Sequence, residues 1–277
     1  DSSRVHQQVS LLTDAVTNTF KRRMPSGGTI HIEEIQDQVE LALMRAGEQK
    51  VARSYVIYRD ERARLRDESI TKTHPTLTVT LVDGTRQPLD LGRLESLITD
   101  ACEDLVGVSA QAIVEETLKN LYDGVKESDL ATTMVMCARV HIEKEPNYTY
   151  VTSRLLLDQL RSEALGFLDI TDKASPADMV EFYPQALPVY LKRGIALELL
   201  SPDLLKYDLA KIADAIEPVR DLQFTYLGLQ TLYDRYFLHS NDVRFELPQL
   251  FFMRVAMGLA INEENYNERA IEFYQLL

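Results

Sequence analysis

Two stretches of this chain read alike, and any fold has to accommodate both. Val16-Thr17-Asn18-Thr19-Phe20-Lys21 resembles Val114-Glu115-Glu116-Thr117-Leu118-Lys119, and each is followed by a Gly-containing break, an acid-rich helix start and a third helix at similar spacing. The second copy is preceded by a β-hairpin and one more helix, which the first copy lacks. Residues 1–66 therefore read as the back part of a module that residues 76–165 present almost whole, with 67–75 as a linker. Three-helix patterns are common, and spacing alone leaves a coincidental match equally open.

The local signals predict a mainly α fold. Val5, Val9, Leu12, Val16 and Phe20 lie on one helical stripe that Pro25-Ser26-Gly27-Gly28 stops. A second helix carries Ile32, Ile35, Val39 and Leu43 behind the acids Glu33, Glu34 and Asp37, and Gly47 ends it. A third runs from about Gln49 to Arg66. Period two takes over at Leu77-Thr78-Val79-Thr80-Leu81-Val82, closed by Asp83-Gly84, so a small sheet is expected near 77–89. Asp90 caps a helix to about Asp104, Ser109 opens one to Tyr122, Ser128 one to about Ile142, and another follows Pro146-Asn147.

From residue 166 to 277 the composition changes. Prolines at 176, 184, 188, 202, 218 and 248 are expected to cut the chain into short helices, among them 188–200 and 201–216. A hairpin near 236–246 and an apolar helix from Pro248 complete the expected elements.

Composition narrows the function classes. At 45% hydrophobic and 26% charged residues, the 277-residue chain has the make-up of a folded globular protein. No run approaches the ~18 apolar residues of a membrane span and the start has no apolar signal core, so the expectation is a cytoplasmic protein without membrane contact. A formal charge of −13 disfavours nucleic acid as a partner. The charge is uneven, however: residues 1–66 hold eleven basic and nine acidic side chains, so the deficit lies in the rest. Cys102 and Cys137 sit in apolar helical patterns without CxxC spacing and read as reduced packing residues.

Chemistry-bearing motifs are scarce. No GxGxxG or GxxxxGK[ST] occurs, and His6, His31, His74, His141 and His239 are scattered without metal-ligand spacing. The third helix is more suggestive. Arg59 and Arg62 lie one turn apart with Tyr55 and Tyr58 beside them, which suits a triphosphate; local sequence by itself leans to the other reading, a solvated basic face paired with Asp60 and Glu61.

Longer stretches carry a resemblance. Tyr122-Asp123-Gly124-Val125-Lys126-Glu127-Ser128-Asp129-Leu130 and Pro146-Asn147-Tyr148-Thr149-Tyr150-Val151-Thr152-Ser153-Arg154-Leu155 look like the ATP-cone of class Ia ribonucleotide reductase large subunits. Asp221-Leu222-Gln223-Phe224-Thr225-Tyr226 and Glu246-Leu247-Pro248-Gln249-Leu250-Phe251-Phe252-Met253-Arg254 look like the helical region leading into that family's barrel. Thr29-Ile30-His31-Ile32-Glu33-Glu34-Ile35-Gln36-Asp37 and Val51-Ala52-Arg53-Ser54-Tyr55-Val56-Ile57-Tyr58-Arg59 resemble the end of another cone, so two stand in tandem.

The resemblance implies a large subunit that reduces ribonucleotides by a thiyl-radical route on an α/β barrel, regulated by ATP or dATP with magnesium accompanying the nucleotide. Its implied partners are a metal-containing, radical-generating small subunit and further copies of the large subunit. This chain is expected to be an inactive fragment ending before the barrel, because it starts without Met, its last helix has no stop signal, and the barrel cysteines are absent. Effector binding is expected in the first cone, with Thr29, Glu33, Tyr58, Arg59 and Arg62 as its lining. In the second cone Leu81-Val82 stand where the family carries Lys-Arg, Glu127 where it carries Thr, and Ala131 where it carries His; Arg93 retains one basic group. That cone is expected to stay empty. The alternative is a stand-alone acidic helical interaction protein.

Overall fold

The computed structural model describes residues 2–23, 30, 32–70, 77–81 and 84–277, with the backbone alone for 2–5, 33 and 60–70. It divides into two compact units, residues 1–76 and 77–277.

The first unit is helical throughout its described elements: α1 (Ser2–Arg23), α2 (Ile32–Arg45) and α3 (Gln49–Ile70), with α1 packed on α2 and α2 on α3. Phe20, Leu43 and Ala52 supply its buried apolar contacts. Gly47 adopts φ +77°, a left-handed conformation that costs an L-residue energy, and so allows Glu48 N–H to return to Leu43 O at 3.0 Å and close α2.

In the second unit, β1 (Thr78–Thr80) pairs antiparallel with β2 (Arg86–Pro88), Val79 opposite Gln87. A third strand, β3 (Val125–Lys126), joins β1 in parallel, a pairing the sequence signals did not announce. Asp123 explains where it docks: its Oδ1 accepts both the Thr78 N–H at 2.9 Å and the Thr78 hydroxyl at 2.7 Å. Helices α4 (Leu91–Cys102), α5 (Ala110–Asn120), α6 (Glu127–Arg139) and α7 (Tyr148–Phe167) follow. Asp90 accepts from Arg93 N–H and Ser109 from Ala112 N–H, so both expected caps are made.

Beyond α7 the helices are α8 (Met179–Ala196), α9 (Leu209–Asp214), α10 (Tyr226–Arg235), α11 (Pro248–Ala260) and α12 (Tyr266–Leu276), with 3₁₀ turns at Pro202–Lys206 and Pro218–Gln223. Strands β4 (His239–Ser240) and β5 (Val243–Arg244) form the hairpin, shorter than expected. Two expectations fail here. Pro184 and Pro188 do not break the chain, because α8 continues through both. Burying Tyr183, Ala186, Leu187, Tyr190 and Leu191, each worth about 1.5–3 kcal/mol when large and apolar, outweighs the lost helical N–H bonds. The helix expected over 201–216 is instead a 3₁₀ turn and the short α9.

One core runs through the second unit, and α7 is its axis. Val151, Leu155, Leu156, Leu157, Leu160, Ala164 and Leu165 are buried around the helix, which packs against α4 and α6 of the cone and against α10 and β5 of the following region. Among the described residues no helix is long and apolar enough to cross a membrane.

Candidate functional site

Of the five residues singled out in the first unit, four fall on α2 and α3. Thr29 lies outside the described residues. Glu33 is in the first turn of α2, one turn before Asp37, and Arg62 is in α3, one turn beyond Arg59; their side chains are also outside the description. Tyr58 exposes 54% of its surface. Arg59 crosses from α3 to α2, its Nη1 2.7 Å from Asp37 Oδ1, so its charge meets an acid on the neighbouring helix. The structure thus brings Arg59 to α2, and any anion approaching it does so beside an existing ion pair.

A groove of about 450 Å³ between α1 and α2 is lined, among the described residues, by Gln8, Leu11, Leu12, Ala15, Val16, Ala42 and Arg45, and by neither Tyr58 nor Arg59. Its apolar residues appear in the sequence only as a helical stripe, which by itself says core and not groove.

In the second unit the corresponding surface has little to offer a phosphate. Val82 lies outside the described residues, and Leu81 is half-buried. Glu127 is exposed at the first residue of α6, with Asp129 in the same turn, so two carboxylates occupy the positive end of the helix where an anion would otherwise be favoured. Ala131 supplies no hydrogen bond, and Arg93 is exposed one turn into α4. The Arg86 guanidinium lies against Gly124, where a Cβ would come within 2.9 Å of Nη2. It adds its charge to the Thr78 hydroxyl and amide that hold the Asp123 carboxyl below its usual range.

A second cavity, about 510 Å³, lies between α4, α7 and residues 173–178. Two of its four cations are held by the fold, while Arg93 and Lys173 are exposed. Arg154 Nη1 donates to Ala101 O at 3.1 Å and Glu103 O at 2.7 Å, closing α4, and Arg161 Nε donates to Ala174 O at 3.1 Å with Nη2 toward Asp158. Asp100, Glu103, Asp104, Asp158 and Asp178 share the lining and outnumber its cations, so the cavity has no net anion-attracting charge. Among the described residues, no group of three His, Cys, Asp or Glu side chains is disposed to hold a metal ion.

Fold and surface together define a chain of two successive cone modules, one with a basic third helix and one without, continuing into a helical domain. A family model described as "ATP cone domain" matches residues 2–64 and 77–163, and one described as "Ribonucleotide reductase, all-alpha domain" matches 222–277. The chain belongs to the ribonucleoside-diphosphate reductase alpha-subunit family. It is 37% identical to the ribonucleoside-diphosphate reductase subunit alpha of Chlamydia trachomatis over 99% of this chain and 27% of that protein. The Helicobacter pylori subunit alpha is 34% identical over 73% of this chain and 24% of its own length, and the Escherichia coli subunit 1 alpha 25% over 67% and 24%. The chain spans about a quarter of the length of the curated relatives it matches.

Proposed function

We propose that this chain is the regulatory and N-terminal portion of a ribonucleoside-diphosphate reductase large subunit, and that ATP or dATP binds the first cone to set the activity of the whole enzyme. In that enzyme the reduction of ribonucleotides takes place on further chain, with a radical-generating small subunit and other large subunits as partners; this portion alone turns over no substrate. The observation that carries the reading is the contrast between the copies. On its third helix, α3, the first copy presents Tyr58 and Arg59 beside α2, whereas the third helix of the second copy, α7, buries Leu155, Leu156, Leu157 and Leu160 in the core. A stand-alone interaction protein would not account for 37% identity along 99% of the chain.

The proposed site comprises Thr29, which precedes α2 in the sequence, Glu33 of α2, and Tyr58, Arg59 and Arg62 of α3. The arginines meet phosphate oxygens, and Glu33 faces the ribose or an accompanying magnesium ion, since a carboxylate beside the phosphates would repel them. The domain limits that go with this reading are 1–66, 76–165 and 166–277, with 67–75 as linker. Calorimetric titration of the full-length subunit with ATP and dATP tests it. Loss of one charge-assisted hydrogen bond, about 1.5–3 kcal/mol, weakens binding roughly tenfold or more in Arg62→Ala, while Val82→Ala leaves it unchanged. Loss of binding from Val82→Ala but not from Arg62→Ala assigns the effector to the second cone and ends the proposal.

A further inference from the structure

The helical region closes around a carboxyl group whose direct donors are neutral. Asp221, in the 3₁₀ turn Pro218–Gln223, is 5% exposed. The Tyr183 hydroxyl of α8 donates to its Oδ2 at 2.6 Å, and Gln249 Nε2 of α11 donates to its Oδ1 at 2.7 Å. Gln249 Oε1 accepts from the Tyr274 hydroxyl of α12 at 2.6 Å, and the Tyr274 oxygen accepts from the Glu217 N–H at 3.1 Å. The other fully buried carboxylate of the region, Glu246, is instead gripped by a cation, with Arg254 Nε at 2.6 Å.

All these hydrogens point one way. From Glu217 through Tyr274 and Gln249, and from Tyr183 on the other side, each donor faces Asp221. That polarity suits an ionised carboxylate, which only accepts. A neutral Asp221 carries an O–H of its own and meets donors on both sides. Rotating the Gln249 amide by half a turn resolves the conflict: Oε1 then accepts from the Asp221 O–H, and Nε2 donates to the Tyr274 oxygen. The Tyr274 proton loses its acceptor in the exchange.

We propose that Asp221 and Gln249 form a proton-operated, two-state relay in which protonation of Asp221 reverses the Gln249 amide and frees the Tyr274 hydroxyl, loosening α12 from α11. The relay joins four separate segments, so one proton changes how α8, the 3₁₀ turn, α11 and α12 are held together. Burial pushes the Asp221 carboxyl up to about 6, against the opposing pull of the Tyr183 and Gln249 hydrogen bonds and the charge of Arg161. The other groups facing it are accounted for. Arg161 from α7 and Arg220 from Asp221's own segment are the neighbouring cations, burial raises Tyr183 from α8 and Tyr274 from α12 above their ordinary range, Glu217 contributes its backbone N–H, and the contribution of α11 is the non-titrating Gln249.

Nuclear magnetic resonance of this chain tests the relay by following the Asp221 carboxyl carbon and the Gln249 side-chain amide between about pH 4.5 and 7.5. Both titrate with a common midpoint near 6, and in Asp221→Asn the Gln249 inflection disappears. An Asp221 that titrates while the Gln249 amide stays still overturns the proposal, as does an Asp221 that remains ionised throughout. Tyr183→Phe keeps the test decisive if Asp221→Asn does not fold: removing a donor from the carboxylate raises the midpoint, and an unchanged or lowered midpoint overturns the relay.

Discussion

The Tyr233 hydroxyl donates to Glu163 Oε2 across 2.8 Å, and the other oxygen of the same carboxylate accepts the Arg244 backbone N–H at 2.6 Å. Glu163 is on α7, the last helix of the second cone, whereas Tyr233 and Arg244 belong to α10 and β5 of the helical region. Arg244 completes the junction by laying its guanidinium 3.8 Å from the centre of the Tyr233 ring. Near the other end of α7, Thr149 Oγ1 accepts the Tyr226 N–H at 3.1 Å. Cone and helical region are thus joined by polar contacts at both ends of a helix whose apolar residues already form their common core.

Removing Glu163 should therefore destabilise the whole second unit and not the cone alone. Glu163→Ala strips a part-buried N–H and hydroxyl of their acceptor, a loss of about 2 kcal/mol, and Tyr233→Phe gives up one hydrogen bond, about 1 kcal/mol. Urea unfolding followed by probes in α4 and in α11 reads this out. Two separated transitions would contradict a shared core.

Glu246 is fully buried and holds the part-buried Arg254, and it also accepts from the Leu238 N–H at 2.9 Å and from Tyr190. Glu246→Ala leaves that guanidinium without its counter-charge and should cost roughly 3–5 kcal/mol, far more than an exposed pair such as Lys206–Asp203. Chemical denaturation of Glu246→Ala and Lys206→Ala side by side checks the ranking.

Gly194 is buried in α8, and a Cβ there would come within 2.5 Å of Leu200 Cδ1 and 2.8 Å of Cγ. Leu200 cannot simply withdraw, because its N–H is bonded to Gly194 O at 3.2 Å. Gly194→Ala should lose about 1–3 kcal/mol through overpacking, and adding Leu200→Ala should recover part of that loss in thermal melting.

Local signals in the sequence carried much of this architecture, and non-local ones did not. Asp90 and Ser109 announce their helices because a cap acts within three residues, and Gly47 ends α2 for the same kind of reason. Strand β3 is two residues long and exists through Asp123 reaching Thr78, a contact between segments far apart in sequence. The continuity of α8 through Pro184 and Pro188 depends on tertiary burial that propensity does not register. At the candidate site, the arginine spacing on α3 was readable, but the partner of Arg59 was not. A pair between helices, Arg59 with Asp37, depends on the packing of α2 on α3, which no local spacing announces.

Asp221 also sets a pH dependence of stability whose sign runs against that of most carboxylates. Its ordinary value is 3.8 and burial raises it to about 6 in the folded chain, so between these values the folded state binds a proton that the unfolded state has released. Stability from this group is present in full below 3.8 and declines as pH rises through about 6, by about 3 kcal/mol in all. The exposed acids Asp123, Asp178, Asp203 and Glu268 are shifted downward and act in the opposite sense at lower pH, so the wild-type curve alone mixes both signs. Asp221→Asn isolates the contribution, because the amide can accept from Gln249 and donate toward Tyr183 without ever ionising. Relative to wild type, the variant should gain stability steadily as pH is raised from about 4 to about 7 and then hold a constant advantage. Guanidinium titrations at several pH values measure the difference, and a variant whose advantage shrinks over that interval would show that Asp221 is ionised in the folded chain well below 6.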